Sequence, residues 1–335
     1  MTCRIGYASF TLKDMRYRAF GKTGFQISEI GFGGWGIGGN AYGNSYGSTD
    51  DAESLKALNR AYGLGCNFFD TADVYGHGHS ESLIGQALKN WNRDEIFIAT
   101  AGGQDFSAEA QTKAGGVKPN FSAAYIRQAL HASLQRLGLE IIDFYQLHTP
   151  PLEVIHHGQV FEVLQDLQKE GKIRFYGVVI HDPQEGVQAI QLGQVTGIQA
   201  IYNLFDTRIE KALLPQCEAT ETALIVREPL ARGFLSGKMV EGQVFEPGDN
   251  RAVWPKLLIQ KRVQAANRFK SLMPEGYTSL GQLALAFPLS QSAVSTVLVG
   301  CKTVTQVEEN FAIVTKPLPE QTTLSAIREM QAGLY

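Results

Sequence analysis

The sequence predicts one parallel (β/α)8 barrel of the TIM type, with an N-terminal β-hairpin closing its bottom. Three observations lead there. Short apolar runs alternate with helix-period segments from residue 29 to the end, the alternation yields eight strand and helix units, and no Pro/Ser-rich linker or charge run divides them. A length of 335 residues suits one large barrel as well as two ordinary domains. The unbroken alternation decides for a single domain over residues 15–335. Residues 1–14 lack the apolar core of a signal peptide and read as an extension, with Met15 as the working start.

The first element is MRYRAFGKTGFQISEIGFGGW, whose alternation and Gly-Lys-Thr-Gly turn predict a hairpin leading into a buried strand. Barrel strands are expected at 29–33, 66–70, 96–100, 142–147, 173–178, 198–202, 223–226 and 295–299. The runner-up is a doubly wound open sheet, because Gly31, Gly33 and Gly36 match the GxGxxG dinucleotide pattern. That pattern needs a helix starting inside it. Here the chain continues GIGGNAYGNSYGSTDD without helical period until about Asp50, so a glycine-rich loop at the barrel mouth is the reading adopted. Asp50 with Glu53 forms an expected capping box before Leu55, Leu58 and Tyr62. Ser122 caps the helix carrying Ile126, Leu130, Leu134 and Leu137, Asp182-Pro183 opens another, and Gly138 and Gly171 close two.

Composition narrows the function. With 44% hydrophobic residues the chain can bury a large core, and its net charge of -3 gives no footprint for nucleic acid or an anionic membrane. No apolar run is long enough to span a bilayer. Small-molecule chemistry is therefore expected. Cys3, Cys66, Cys217 and Cys301 are dispersed without metal-ligand spacing, as reduced thiols in a cytoplasmic protein would be. His77 and His79 have no third ligand in sight, so no metal is expected.

In a barrel of this kind the active site lies at the C-terminal ends of the strands. FFDTADVYG places Asp70 at the tip of the second strand and Tyr75 in the next loop, and DFYQLHTPP places His148 at the tip of the fourth. An acid, a phenol and an imidazole thus converge on one face. Between them, IATAGG brings the third strand to its end on Ala101, a methyl group.

The strings FFDTADVYGHGHSESLIGQAL, ASLQRLGLEIIDFYQLHTPP, EVLQDLQKEGKIRFYGV, EPLARGFLSGK and VLVGCKTVTQVEENF, in this order, strongly resemble the aldo-keto reductase family. The resemblance covers nearly the whole chain from Met15 and implies a (β/α)8 barrel that binds NADPH (NADP+) extended, without a Rossmann motif. It also implies a catalytic tetrad of Asp, Tyr, Lys and His. Asp70, Tyr75 and His148 match three positions, and Ala101 occupies the position of the lysine. In the family's reaction a hydride passes from the nicotinamide to a carbonyl carbon while the tyrosine protonates the alkoxide. The lysine lowers the phenol's pKa from its ordinary value near 10. Its loss should slow the reaction by at least roughly 10²–10³, by analogy with a deleted oxyanion donor. Asp70, left without its partner, should become easier to protonate.

For the cofactor, the resemblance implies Gly34, Trp35, Asp70 and Gln199 near the nicotinamide, and Arg227 flat against its ring. Pro229, Leu230, Arg232, Lys238 and Arg251 would serve the pyrophosphate. Gly300, Lys302, Gln306, Glu309 and Asn310 would clamp the adenosine half, with Lys302 on a 2′-phosphate and a helix N-terminus aimed at phosphate. Val179 and Ile180 replace a polar pair that holds the carboxamide in many members. Lys113 in QTKAGG is read as an exposed loop lysine, and Trp35, Tyr42, Tyr46 and Trp254 as an aromatic-walled substrate pocket. The expected activity is hydride transfer from NADPH to an aldehyde or ketone, reduced or lost because of Ala101. The alternatives are a natural lysine-free enzyme doing dehydratase, epimerase or lyase chemistry, and a non-catalytic NADPH-binding protein.

Overall fold

The computed structural model describes residues 14–42, 45–107, 116–192, 195–246 and 248–333. Eight parallel strands close into a barrel in chain order. They are β1 (Ile30–Gly33), β2 (Phe68–Asp70), β3 (Phe97–Gly102), β4 (Ile142–His148), β5 (Ile173–Val179), β6 (Gly197–Ile201), β7 (Ala223–Arg227) and β8 (Val294–Gly300). Each expected strand is present to within two residues at either end. The glycine-rich segment after β1 forms a short 3-10 helix, Gly34–Gly38, and the first α-helix is Asp51–Gly63, so no α-helix begins inside the GxGxxG string.

The hairpin Tyr17–Ala19/Gln26–Ser28 seals the bottom. Phe20 and Ile27 enter the barrel end and pack with Phe68, Phe97, Phe144, Ala223, Ile225 and Leu298. The Phe20 ring lies 4.8 Å from Phe97 and 5.0 Å from Phe144. At the turn, Gly21 has φ 52°, and a Cβ there would stand 2.8 Å from the Ala223 nitrogen and the Glu221 oxygen. Only glycine lets the turn lie this close to the start of β7.

Side chains alternate in and out along each strand, so the interior is layered. Phe68, Phe97 and Phe144 form an aromatic floor, and two residues further along their strands come Asp70, Ala99 and Gln146. Gln199 joins this level from β6. The next inward positions are Ala101 on β3 and His148 on β4, the latter at the mouth.

Helix caps follow the sequence with one correction. Asp50 accepts from the Glu53 backbone N–H at 2.9 Å, but the Glu53 carboxylate pairs with Lys56 at 2.7 Å instead of returning to Asp50. The (i, i+3) ion pair competes for the same side chain, and the box is half formed. The full box occurs at Asp182 with Glu185.

Outside β3, a polar cluster lies against helices His79–Leu88 and Ala123–Leu137. Glu81, fully buried, accepts from Thr100 at 2.7 Å and from Arg136 at 2.6 Å. Beside it, the Asp73 carboxyl and the Tyr145 hydroxyl are buried without a well-formed hydrogen bond. Burial and the Glu81 charge push the Asp73 carboxyl well above the usual carboxylate range, and Arg136 and the Val74 N–H offset only part of this. A carboxyl raised in the folded state favours folding at low pH, and that contribution is lost as pH rises from the unfolded value near 3.9 towards the folded one. Asp73→Asn should therefore raise stability by at least about 1 kcal/mol at pH 8 and change little at pH 4. Urea unfolding at the two pH values checks this; a variant destabilised at pH 8 contradicts it.

Candidate active site

A cavity of about 1460 Å³ opens at the C-terminal ends of the strands. Asp70, Tyr75 and His148 line it, as do all fifteen positions read as cofactor-binding: Gly34, Trp35, Asp70, Gln199, Arg227, Pro229, Leu230, Arg232, Lys238, Arg251, Gly300, Lys302, Gln306, Glu309 and Asn310. Ala101 does not. Its methyl is 2% exposed and packs with Ala72 and Val179, and Val74 and Tyr75 rest on this small apolar cluster.

Asp70 ends β2 and is 3% exposed. The carboxamides of Gln146 and Gln199 both donate to its Oδ1, at 2.8 and 2.9 Å, and Gln199 also donates to Gln146 Oε1 at 3.0 Å. Among the described residues no cation is bonded to it. Burial pushes the carboxyl up to about 7, the two amides and the Arg227 charge pulling it back only in part. Burial first, and the Asp70 charge second, raise the Tyr75 phenol well above its ordinary range. The Tyr75 ring meets His148 edge-on at 5.8 Å and Trp35 at 5.1 Å. Burial, reinforced by Arg227 and His181, pushes His148 down to about 3, so its imidazole is neutral. Gln104 holds the His148 carbonyl at 2.7 Å, and the ring's Nδ1 is buried without a partner.

Five of the basic side chains that line the rest of the cavity are already engaged. Arg227 donates to His181 Nδ1 at 2.9 Å, to the Ile180 carbonyl at 3.0 Å and to Glu228 at 3.1 Å. Arg232 pairs with Glu228 at 3.0 Å, Lys238 with Glu309 at 2.5 Å, and Arg251 with Asp249 at 2.6 Å. Lys302 Nζ donates to three consecutive carbonyls, Tyr46, Gly47 and Ser48, at 2.6, 3.1 and 3.3 Å. Arg251 lies over the Tyr46 ring at 4.8 Å, and the Asn250 N–H donates to the Ser45 carbonyl at 2.9 Å. The segment 45–48 is thus tied across the rim. Nearby, Thr303 caps helix Val304–Phe311, and Gln306 accepts from the Lys302 N–H at 2.7 Å. Five cations and a capped helix N-terminus in one elongated cavity form a donor set that suits a dinucleotide with several phosphates.

Two expectations about the walls need correction. Trp35 and Tyr46 line the cavity, but Tyr42 does not, because it stacks on His77 at 3.9 Å with half its surface in solvent. Trp254 stacks on Phe234 at 5.7 Å, under Arg232 and Arg262, and also stays outside. His79 pairs with Asp51 at 2.9 Å, and among the described residues no group of three His, Cys, Asp or Glu side chains is arranged to hold a metal. Lys113 and Cys3 lie outside the described residues. Gln146, Gln104 and His181 were missed in the sequence. Gln146 carried a usable signal, since it alternates inward between Phe144 and His148 on one strand.

With this geometry in place, relatives can be compared. The family model described as "Aldo/keto reductase family" matches residues 29–331. The chain belongs to that family. It is 32% identical over 330 residues to the NADH-specific methylglyoxal reductase of Escherichia coli, covering 96% of this chain and 99% of that protein. It is also 32% identical over 300 residues to the aldo-keto reductase YhdN of Bacillus subtilis, covering 88% and 87%. Among solved structures it resembles the glycerol dehydrogenase AKR11B4 of Gluconobacter oxydans, with TM-score 0.80, 30% identity and coverage of 96% and 95%. The chain is accordingly an aldo/keto reductase family oxidoreductase, generally served by a nicotinamide cofactor.

The Lys302 tether yields a prediction. Lys302→Met removes three charge-assisted bonds, so amide exchange in residues 45–48 should quicken roughly tenfold or more. Hydrogen exchange followed by mass spectrometry reads this directly, and unchanged exchange would show that Arg251 and Asn250 suffice.

Proposed function

We propose that the protein reduces small aldehydes or ketones with NADPH in the cytoplasm, through residues 15–335 as one unit, and that Ala101 makes its proton transfer slow. The observation that carries this reading is the convergence of Asp70, Tyr75 and His148 in a cavity whose lining also includes the Arg227, Arg232, Lys238, Arg251 and Lys302 cations. Tyr75 Oη would bind the substrate oxygen together with the neutral His148 imidazole, which donates without adding charge. Trp35 would close one side and help keep water out. The nicotinamide, held by Gly34, Asp70, Gln199 and Arg227, supplies the hydride when bound. Pro229, Leu230, Arg232, Lys238 and Arg251 would hold the pyrophosphate, exchanging their carboxylate partners for phosphate oxygens. Gly300, Gln306, Glu309 and Asn310 would take the adenosine half. The preference for NADPH rests on Lys302 as the cation for a 2′-phosphate, against the NADH specificity named for the Escherichia coli relative.

A second reading has one observation in its favour. Replacing a lysine by alanine in an otherwise unchanged site leaves a hole, whereas here Val179 and Ala72 fill the space around the Ala101 methyl. This favours a natural lysine-free enzyme of the same fold, whose chemistry would be dehydration, epimerisation or elimination. A non-catalytic NADPH-binding role finds no comparable support.

The deciding measurement is NADPH oxidation against a panel of small aldehydes and ketones. The native protein is compared with Ala101→Lys, alone and with Val179→Ser to make room for the longer side chain. A gain of about a hundredfold or more in either lysine variant is expected. Lysine variants that fold and bind NADPH yet gain nothing sink the reductase reading and leave the non-reductive one.

A further inference from the structure

The chain turns sharply where β4 ends at the cavity mouth, and part of what holds the turn comes from the neighbouring loop. His148 is the last residue of β4, and Thr149 after it has φ 54°, in the left-handed region that a β-branched residue rarely enters. Pro150 and Pro151 follow. Neither has an N–H, so the corner finds its hydrogen bonds elsewhere. The Thr149 N–H donates to the Val179 carbonyl of β5 at 3.0 Å. The His148 carbonyl accepts twice, from the Thr149 hydroxyl at 2.7 Å and from Gln104 Nε2 at 2.7 Å. A carbonyl only accepts, so it is the amide's NH2 end that faces it.

Gln104 is itself held in place. The chain leaves β3 through Gly103, whose φ of 115° and contact with the Phe121 ring leave no room for a Cβ. The main chain of Gln104–Asp105 pairs with Lys118–Pro119, and Tyr125 Oη on helix Ala123–Leu137 donates to the Gln104 carbonyl at 2.9 Å. The Gln104 side chain is 8% exposed and lines the cavity. The His148 ring has less support of its own. Its Nδ1 has no hydrogen-bond partner among the described residues, and its meeting with Tyr75 is an edge-on ring contact at 5.8 Å. The direction of the ring is therefore set largely by the main chain that carries it.

We propose that Gln104 is a positioning residue for His148: by holding the His148 carbonyl it keeps the strained corner of β4 in its turn and the imidazole aimed at the substrate oxygen beside Tyr75. The proposal rests on the reductase reading above, in which His148 and Tyr75 share that oxygen. A left-handed threonine persists only where its surroundings over-determine it, and the Gln104 amide is the donor that the corner does not supply itself. The hydrogen bonds of the Gln104 side chain go to His148 and Thr149, away from the positions read as cofactor-binding. Its loss should therefore weaken reduction and leave cofactor capture alone.

Gln104→Met keeps the length of the side chain and removes the donor. Its kcat/KM for a small aldehyde should fall about tenfold, as for one lost hydrogen bond, while its Kd for NADPH stays at the native value. Gln104→Glu offers the carbonyl a donor only when protonated. Its kcat/KM, divided by that of the native protein, should rise as pH falls from about 8 to about 5, and the same ratio for Gln104→Met should stay flat. The division removes the titrations that the proteins share. A third readout needs no turnover: hydrogen exchange followed by NMR should show the Thr149 N–H exchanging about tenfold faster in Gln104→Met, with the Tyr145 and Leu147 amides unchanged. Reduction with native kcat/KM in Gln104→Met, a flat ratio in Gln104→Glu, or unchanged exchange at Thr149 overturns the positioning role. So does a loss of NADPH affinity that matches the loss of kcat/KM, because it marks a general disturbance of the site. Quickened exchange at Thr149 in a protein that reduces no carbonyl, natively or as Ala101→Lys, leaves the corner as described and overturns the reductase reading.

Discussion

Two carboxamides sharing one oxygen of a buried carboxyl set the terms for the upper half of the barrel. Asp70, Gln146 and Gln199 come from β2, β4 and β6, three strands that do not neighbour one another. They meet because side chains from alternate strands reach the same level of a closed barrel. Asp70 and Gln146 can bond across β3 only because β3 presents Ala99 and Ala101 at that level. A long side chain at either position would compete for the same space. The small side chains of β3 and the carboxamide bridge are thus two aspects of one packing arrangement. The amides satisfy the carboxyl's hydrogen bonding without cancelling its charge.

The same arrangement explains the divergent protonation behaviour of the three groups. Asp70 is buried and Tyr75 and His148 are half-buried, and burial alone raises acids and lowers bases. With a neighbouring ammonium, the carboxyl and the phenol would be drawn down together. Without one, desolvation is the largest influence on each, and it leaves the carboxyl near neutrality, the phenol far above it and the imidazole far below. Asp70 is then the group of the three that changes charge near physiological pH. Arg227 does not reverse this, because Glu228 is ion-paired to it at 3.1 Å and partly cancels its field.

The barrel was legible because its signal is repeated. Eight alternations of apolar run and helical period leave little freedom, and an error of two residues at a strand end does not alter the topology. The three chemical residues were legible because strand tips are where such a fold displays them. What stayed hidden was partner choice. Glu53 lies within reach of both a cap and Lys56, and only the helix geometry decides. Tyr42 and Trp254 read as pocket walls, yet each has a better stacking partner far away in sequence. Lys302 read as the cation for a 2′-phosphate, while its three carbonyl partners lie over 250 positions earlier. Gln146 was overlooked because an amide has no charge to attract notice, although its inward register beside Phe144 and His148 was visible in FYQLH.

The half of the cavity that carries the cations shows how charge can be stored for a ligand. Arg232, Lys238 and Arg251 each hold a carboxylate, and Lys302 holds carbonyl dipoles. The Lys238 pair is exposed on its lysine side and worth little in itself, so exchanging it for phosphate oxygens costs little, whereas the Arg251 pair with Asp249 is buried and costs more to break. Their value lies in keeping long side chains ordered and pointed along the groove, which reduces the entropy lost when an anion arrives. At the chemical end the logic is the opposite. Asp70 is buried, its partners are fixed, and no ion pair is available to exchange. A groove lined by engaged cations therefore leads to a single carboxyl that has no ion-pair partner among the described residues. The centre's charge changes only by moving a proton, whereas the charges along the groove can change partners without any proton moving.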